Sequence, residues 1–195
     1  MLKNLSGYRV VLGSASPRRQ QLLAGLGIPF EVEVRETDES FGHELKAQEI
    51  PLHIATSKAE AFYADLGARD IVITADTVVW INGHVMNKPS DRNDAIAMIS
   101  ELSGSVHEVY TAVCVLSSQG KTLLWDETRV HFAKLERDEI EFYVDQYKPF
   151  DKAGAYGAQD WIGLVGIDRL EGSYFNVMGL PVHKLYDALK KIPLC

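Results

Sequence analysis

Apolar positions follow two different spacings along the chain, and the two spacings alternate from one end to the other. Short apolar or alternating runs predict strands, whereas apolar positions three or four residues apart predict helices. Strands or hairpins are predicted at residues 8–12, 28–34, 70–89, 107–135 and 161–173, and helices at about 17–26, 52–66, 91–102, 137–146 and 181–191. Helices interleaved with antiparallel hairpins indicate an α/β or α+β fold around a mixed sheet.

Cap and turn residues support the boundaries of these segments. Ser16 followed by Pro17 is typical of a helix start, and Gly27 ends the same helix. The dipeptide Asn82-Gly83 lies between two strand-like runs and predicts a tight hairpin turn. These signals mark the first helix and the first hairpin.

Composition narrows the classes of partner. The 195 residues carry a net charge of -7, which argues against broad binding to nucleic acid or to an acidic membrane, so any cationic site must be local. With 46% hydrophobic residues, the chain can bury the core of one domain or of two joined lobes. No apolar run reaches membrane-spanning length. Cys114 and Cys195 form no disulfide framework, so we expect a cytoplasmic protein.

The stretch GSASPRRQ, residues 13–20, places a turn of small residues between a strand and a helix start. Backbone N–H groups point outward at such a start and bind anions. Ser14 adds a hydroxyl, and Arg18 and Arg19 add forked donors that suit phosphate. The stretch lacks the Gly-Lys-Ser/Thr ending of a P-loop. An anion site and an ordinary Ser-Pro helix start with two solvated arginines are both compatible with this pattern.

Two charged residues lie where apolar side chains are expected. Asp76 interrupts the apolar and β-branched run IVITADTVVWI, where an unpaired buried carboxylate would be costly. It is either a functional carboxylate near a cation or a strand-end residue that faces water or pairs with an arginine. Lys58 lies on the apolar stripe of its predicted helix. Its ammonium either reaches into a site or extends to solvent.

Two further candidates carry weak signals of their own, and the segment before residue 159 is more informative. Lys88 lies in the loop after the hairpin, and Glu39 lies in the acidic loop RETDES. Gln159 follows the irregular loop FDKAGAYGA, which has the composition of a ligand-site wall or of a surface loop. Its amide offers one donor and one acceptor, which match the O4 and N3–H edge of uracil or thymine. The same amide can rotate to suit cytosine.

The candidates together have the composition that triphosphate hydrolysis requires. Cations spread the charge of phosphates, carboxylates hold a divalent metal, and one carboxylate accepts a proton from the attacking water. No nucleophilic side chain is needed, because phosphoryl chemistry depends mainly on positioning and charge stabilisation. Motifs of zinc sites and of serine hydrolases, HExxH and GxSxG, are missing from the sequence.

Several motifs in order give the chain a resemblance to a known family. They are SASPRRQQLL, SKAEA, ADTVV, NKP, LSGSVHEVYTAV, DKAGAYGAQ and GSYFNVMGLP, and they extend from about Val10 to about Leu189. The sequence resembles the Maf (septum formation) nucleotide pyrophosphatases. The resemblance implies one domain over residues 1–195 with an elongated mixed α/β fold, similar to that of inosine triphosphate pyrophosphatases. The nucleotide is then expected in a cleft between two lobes.

The resemblance also implies roles for individual residues. The motifs ADTVV and KAGAYGAQ are similar to the branch of the family that acts on dTTP and UTP, with Mg²⁺ or Mn²⁺ as cofactor. Asp76 is then the proton acceptor and a metal ligand. The other implied roles are substrate binding or specificity for Ser14, Arg18, Arg19, Thr77 and Gln159, and phosphate or metal contacts for Lys58, Lys88 and Glu39. Asp160 and Trp161 follow Gln159 where the family has a glycine next, which puts the base preference in question.

Two other functions stay open at this point. One is hydrolysis of 7-methyl-GTP, the other branch of the family, although ADTVV and AYGAQ argue against it. The other is a regulator of septum formation that binds nucleotide without hydrolysis, although Asp76, Lys58 and Lys88 are present. CTP and modified pyrimidine nucleotides are additional candidate substrates. A homodimer is compatible with the resemblance, and no nucleic-acid or membrane partner is expected.

Overall fold

The computed structural model of the chain describes residues 2–193, so Cys195 lies outside the described residues. The strands are β1 (Arg9–Leu12), β2 (Glu31–Val32), β3 (Asp70–Ile81), β4 (His84–Met86), β5 (Val106–Ser117), β6 (Gly120–Phe132) and β7 (Ile167–Glu171). The helices are α1 (Pro17–Gly25), α2 (Glu49–Glu60), α3 (Arg92–Leu102), α4 (Arg137–Tyr147), α5 (Trp161–Gly166), α6 (Tyr174–Val177) and α7 (Val182–Lys190). Short 3₁₀ turns lie at Lys3–Leu5, Tyr63–Asp65 and Ala153–Ala155.

The strands form a mixed sheet in the order β2-β1-β3-β5-β6-β7, with β4 paired to β3. Strand β1 runs parallel to both β2 and β3, whereas β4 is antiparallel to β3 and β7 is antiparallel to β6. Helices alternate with the strands of this sheet along the chain, so the predicted mixed α/β fold class is confirmed. Within residues 2–193, no helix is both long enough and apolar enough to cross a membrane.

The described residues divide into two compact units. The first unit contains residues 2–76, 111–126 and 179–193, and the second contains residues 77–110 and 127–178. The core of the first unit gathers β1, β3, α1 and α7 around fully buried side chains such as Leu12, Leu23 and Ile73. The core of the second packs α3 and α4 with side chains such as Ile96 and Tyr143. The prediction that residues 1–195 form one domain stays a prediction.

Local capping explains where several helices begin. The Ser16 hydroxyl accepts a hydrogen bond from the Arg19 backbone N–H, and Pro17 occupies the first position of α1. Asp91 caps α3 by accepting from the N–H groups of Asn93 and Asp94. These helix starts, and the turn at residues 82–83, agree with the sequence predictions.

Two predicted segments have other bounds in the structure. The strand predicted at 28–34 contains only Glu31 and Val32, both exposed on β2. The helix predicted at 52–66 begins earlier, at Glu49, whose side chain accepts a hydrogen bond from the Lys46 N–H at 3.0 Å. The same helix ends at Glu60, and a 3₁₀ turn follows it.

The strand or hairpin predicted over residues 161–173 is wrong in its first half, which forms helix α5. Ile162 is fully buried there, and the Trp161 ring packs edge-on against Phe142 at 5.0 Å. Gly163 lies so close to the preceding loop that a Cβ on it would overlap the Ala158 carbonyl oxygen. Tertiary packing therefore overrides the strand preference of this β-branched segment.

Candidate active site

A lysine and two carboxylates meet in the first unit. Lys58 Nζ lies 2.9 Å from Asp76 Oδ1 and 3.0 Å from Glu39 Oε1. The side chains of Lys58 and Asp76 are 15% and 13% exposed, and that of Glu39 is 49% exposed. The three residues predicted from separate segments are therefore brought together, and Asp76 is a partly buried carboxylate paired with a lysine, not a solvated strand-end residue.

Helix α2 and strand β3 hold this ion pair in place. The Thr74 hydroxyl, fully buried on β3, donates to the Ala55 carbonyl of α2 at 2.6 Å. Thr74 is two residues before Asp76, and Ala55 is almost one helical turn before Lys58. This hydrogen bond fixes the helix against the strand next to the charged residues. The Lys58 ammonium therefore reaches a defined position and does not extend to solvent.

Gly13 permits a close approach at the start of the small-residue turn. A Cβ on Gly13 would lie 2.8 Å from Thr74 Cγ2 and 3.2 Å from Phe62 Cε2, both side chains of the first-unit core. Its N–H continues the sheet by donating to the Ile73 carbonyl at 2.8 Å. A larger residue would push the turn away from β3, so glycine is required by packing here.

Two hydrogen bonds fix the guanidinium of Arg19 next to the small-residue turn of residues 13–16. Arg19 Nε donates to the Gly179 carbonyl at 2.8 Å, and Nη1 donates to the Ser14 hydroxyl at 3.3 Å. Ser14 is 7% exposed and also accepts from the Ser16 N–H at 3.3 Å. Arg19 is therefore not one of a solvated pair. The sequence predicted the anion-ready turn but not the carbonyl of Gly179 that orients it.

The electrostatics of this turn involve both arginines and both carboxylates. Burial lowers the pKa of Arg19, the charge of Arg18 lowers it further, and the charges of Asp76 and Glu39 raise it. An arginine still keeps its proton at neutral pH. The predicted anion site and the two carboxylates are therefore close enough in the first unit for their charges to interact.

The donor set suits a divalent cation that is shared with a substrate. Among residues 2–193, no group of three or more His, Cys, Asp or Glu side chains could hold a metal ion. Mg²⁺ binds through one or two carboxylates together with substrate phosphates, and not in a dedicated protein cage. Asp76 and Glu39, which share the Lys58 ammonium, are the residues that fit such an ion.

The second unit contains the other predicted residues. Thr77 is half-buried on β3, and Lys88 is exposed in the loop that precedes α3. Gln159 is half-buried just before α5, and its Oε1 atom is fully buried with no hydrogen-bond partner among the described residues. The loop that carries Gln159 is therefore part of a packed structure, although it contains an unsatisfied acceptor.

Two buried side chains hold that loop, and the sequence predicted a role for neither. Tyr143 on α4 accepts from the Gly157 N–H at 3.1 Å and donates to Asp160 Oδ2 at 2.9 Å. His107 on β5 pairs its Nε2 with the Tyr156 hydroxyl at 2.8 Å. Both residues are fully buried, and their polar atoms so deep in a core are a signal that only the folded structure reveals.

Comparison with known proteins agrees with this arrangement of motifs. The family described as Maf-like protein matches residues 9–192. A protein of Bacteroides fragilis (strain YCH46) named dTTP/UTP pyrophosphatase is 49% identical over 193 residues, which are 98% of this chain and 100% of that one. A protein of the same name from Parabacteroides distasonis is 50% identical over 191 residues, 97% of this chain and 99% of that one.

A solved structure, that of the Staphylococcus aureus Ham1 protein, is similar in fold. It has a TM-score of 0.52 and 13% sequence identity, and the match covers 92% of this chain and 99% of that one. At this identity the likeness concerns the fold alone. The family match over nearly the whole described chain, together with relatives of about half identical sequence, shows that the protein belongs to the Maf-like family.

Proposed function

We propose that this protein is a nucleoside triphosphate pyrophosphatase that hydrolyses dTTP and UTP to the nucleoside monophosphate and pyrophosphate. The observation that carries the proposal is the contact of Lys58 with both Asp76 and Glu39. Relatives of similar length named dTTP/UTP pyrophosphatase support the same substrates.

Most of the cationic groups proposed to bind the triphosphate lie in the first unit. N–H groups at the start of α1 and the guanidinium groups of Arg18 and Arg19 compensate phosphate charge. Ser14 and the Gly179 carbonyl hold Arg19 in a single orientation, so little side-chain freedom is lost when the anion binds. Lys58 contributes a further positive charge, and Lys88 is proposed as another phosphate contact.

The reaction is an attack of water on the α-phosphorus. A bond forms between the water oxygen and the α-phosphorus, the bond from that phosphorus to the bridging oxygen breaks, and pyrophosphate leaves. Asp76 accepts the proton of the attacking water. Lys58, 2.9 Å from Asp76 Oδ1, keeps that carboxylate oriented and stabilises negative charge that develops on the phosphate oxygens.

A divalent metal, Mg²⁺ or Mn²⁺, belongs to the proposal, with Asp76 and Glu39 as its protein ligands. When bound, such an ion neutralises phosphate charge and polarises the reacting phosphoryl group. The carboxylate of Glu39 is half exposed and can therefore change its partner at little cost in packing. The more buried Asp76 is the residue whose position the fold determines.

Base selection is assigned to Arg18, Thr77 and Gln159, the positions that the family resemblance implies. The Gln159 amide can accept from N3–H and donate to O4 of uracil or thymine. Thr77 adds a hydroxyl next to Asp76 in sequence. These assignments predict that thymine and uracil nucleotides are better substrates than purine nucleotides.

Hydrolysis in ¹⁸O-labelled water tests the proposal directly. The purified protein is incubated with dTTP or UTP and Mg²⁺ or Mn²⁺, and the products are identified by mass spectrometry. We expect pyrophosphate without label and a monophosphate that carries one ¹⁸O atom. Release of inorganic phosphate and a nucleoside diphosphate contradicts the proposed reaction.

A substrate panel separates the remaining alternatives. Preference for 7-methyl-GTP by tenfold or more, about 1.4 kcal/mol, contradicts the choice of base. Tight UTP binding without hydrolysis, measured by calorimetry, identifies a nucleotide-binding regulator instead of an enzyme. A homodimer and a cytoplasmic location also belong to the proposal, on the resemblance to the family. Light scattering and cell fractionation test them.

A further inference from the structure

A buried tyrosine ties together the segment that carries Gln159. The Tyr143 hydroxyl accepts from the Gly157 N–H at 3.1 Å and donates to Asp160 Oδ2 at 2.9 Å. The Asp160 N–H in turn donates to the Gly157 carbonyl at 3.0 Å. Tyr143 is fully buried in the core of the second unit. The Asp160 carboxylate therefore has a fixed position relative to the backbone on both sides of Gln159.

The amide of Gln159 lies on the same side of Gly157 as that carboxylate. A Cβ on Gly157 would be 2.6 Å from Asp160 Oδ2 and 2.8 Å from Gln159 Nε2. Both polar groups therefore occupy the space that the missing side chain leaves. Gln159 Oε1 is fully buried and has no hydrogen-bond partner within residues 2–193. The amide nitrogen is thus directed toward the Gly157–Asp160 region, and the buried oxygen is left without a donor.

Electrostatics gives this orientation a cause. A carboxylate attracts the hydrogens of an amide nitrogen and repels an amide oxygen, most strongly where water is excluded. Rotation of the Gln159 amide by half a turn would bring its oxygen toward Asp160. An unpaired buried acceptor costs free energy unless a ligand supplies a donor. The resting orientation therefore prepares Oε1 for a ligand N–H group.

Cytosine and uracil differ in the amide orientation that they require. Uracil and thymine present a donor at N3 and an acceptor at position 4, whereas cytosine presents an acceptor at N3 and an amino donor at position 4. Glutamine pairs with the two patterns only in opposite orientations of its amide. Fixing the amide therefore converts an adaptable side chain into a selective one.

We infer that Asp160, held by Tyr143, is a positioning residue that fixes the Gln159 amide for bases carrying N3–H and thereby disfavours CTP. The inference rests on the proposed function, because it assigns Gln159 to the base. It also gives a role to the sequence departure after Gln159, where an acidic residue replaces the glycine of the family pattern.

The test compares kcat and KM for UTP and CTP in the parent protein and in Asp160→Asn. Asparagine keeps an acceptor for the Tyr143 hydroxyl but removes the carboxylate charge that orients the amide, a charge that Lys152 Nζ, 3.8 Å from Asp160 Oδ2, compensates only in part. We expect the CTP-to-UTP ratio of kcat/KM to rise at least about tenfold, mainly through a lower KM for CTP. The kcat for UTP should change less than about twofold, because Asp160 touches no reacting atom. Asp168→Asn is the matched control, since Asp168 is an exposed carboxylate of the same unit on β7.

Tyr143→Phe is the second variant, because it removes the hydrogen bond to the Asp160 carboxylate and leaves both its charge and its contact with Lys152. It should raise the same ratio by a smaller factor, and it decides the question if Asp160→Asn does not fold. An unchanged ratio in a folded variant overturns the inference, as does an equal loss of UTP and CTP turnover, which indicates a merely structural role. A parent protein that hydrolyses neither UTP nor dTTP overturns the proposed function as well. Activity with unaltered selectivity overturns this inference alone.

Discussion

Lys58 Nζ lies 2.9 Å from Asp76 Oδ1, in an ion pair that is largely shielded from solvent. The pair joins helix α2 to strand β3 and is supported by the hydrogen bond from Thr74 to the Ala55 carbonyl. The carboxylate that accepts the proton in the proposed reaction is therefore oriented by the fold before substrate binds. Such preorganisation lowers the cost of reaching the transition state.

Replacement of Asp76 by Asn is expected to reduce kcat by about 10²–10⁴-fold, because asparagine is isosteric but has neither charge nor basicity. KM should change much less, since Arg18, Arg19 and the start of α1 still hold the phosphates. Steady-state kinetics with dTTP measures both quantities. More than about a tenth of the parent activity, a loss under about 1.4 kcal/mol, excludes Asp76 as the base.

Asp70→Asn is the matched control for that experiment. Asp70 begins the same strand, its side chain is 15% exposed, and it pairs with Arg9 at 3.6 Å. It lies outside the group around Lys58, so we expect near-parental activity. Similar losses in both variants would indicate that a carboxylate on β3 contributes only to the fold.

Glu39→Gln is expected to raise the concentration of Mg²⁺ or Mn²⁺ that gives half-maximal activity, by about tenfold or more. Loss of one carboxylate reduces the charge of the donor set, while Asp76 still accepts the proton at saturating metal. Titration of activity with each metal measures the shift. Glu36→Gln, three residues earlier and exposed, serves as the control. An identical metal requirement in both variants shows that Glu39 is not a ligand.

Gly13→Ala is expected to lower the free energy of unfolding by about 1–3 kcal/mol through overpacking. The added methyl would lie 2.8 Å from Thr74 Cγ2. Thr74→Ser removes that methyl but keeps the hydroxyl that donates to Ala55. The double variant should therefore be more stable than the sum of the single effects predicts. Denaturant unfolding of the three variants measures the coupling, and strict additivity would show that the two sites do not touch.

His107 should make the protein less stable in acid. Burial, with a smaller effect of the charge of His131, lowers the pKa of His107 from 6.5 to about 3. Between pH 6.5 and about 3, the unfolded chain therefore binds a proton at His107 that the folded chain does not bind. The contribution of neutral His107 to the free energy of unfolding is fully present above pH 6.5. It is lost as the pH falls toward 3, at up to about 1.4 kcal/mol per pH unit.

The variant His107→Gln isolates this contribution, because glutamine can still pair with the Tyr156 hydroxyl but does not titrate. Unfolding free energies at pH 7 and pH 5 should differ less in this variant than in the parent. The exposed His183, replaced by Gln, should leave the parental pH dependence intact. If all three proteins lose the same stability between these pH values, His107 is not the source.

Local signals predicted much of the fold, and contacts between distant segments account for the rest. The caps at Ser16 and Asp91 depend on neighbouring backbone, so the sequence was sufficient for α1 and α3. Helix α5 has only six residues, and its identity depends on Ile162 entering a core that no local pattern describes. The extent of β2 depends likewise on pairing with β1.

The candidate site divides in the same way. Asp76 and Lys58 were recognisable because each is a charge on an apolar element, and the structure pairs them. The support of Arg19 by the Gly179 carbonyl was not predictable, since every residue has a carbonyl and the two positions are 160 residues apart. Tyr143 was missed for a related reason, because its hydroxyl is distinctive only where the folded chain surrounds it.

The contact of Lys58 with both Asp76 and Glu39 affects how stable the folded protein is when divalent cations are removed. Two neighbouring carboxylates usually need an external cation to be tolerated together, but here the chain supplies its own counter-charge. Chelation of divalent ions should abolish the proposed metal-dependent activity. It should not lower the melting temperature, because Lys58 still compensates both carboxylates. A cell short of these ions would then retain folded but inactive protein, which regains activity when the ions are supplied.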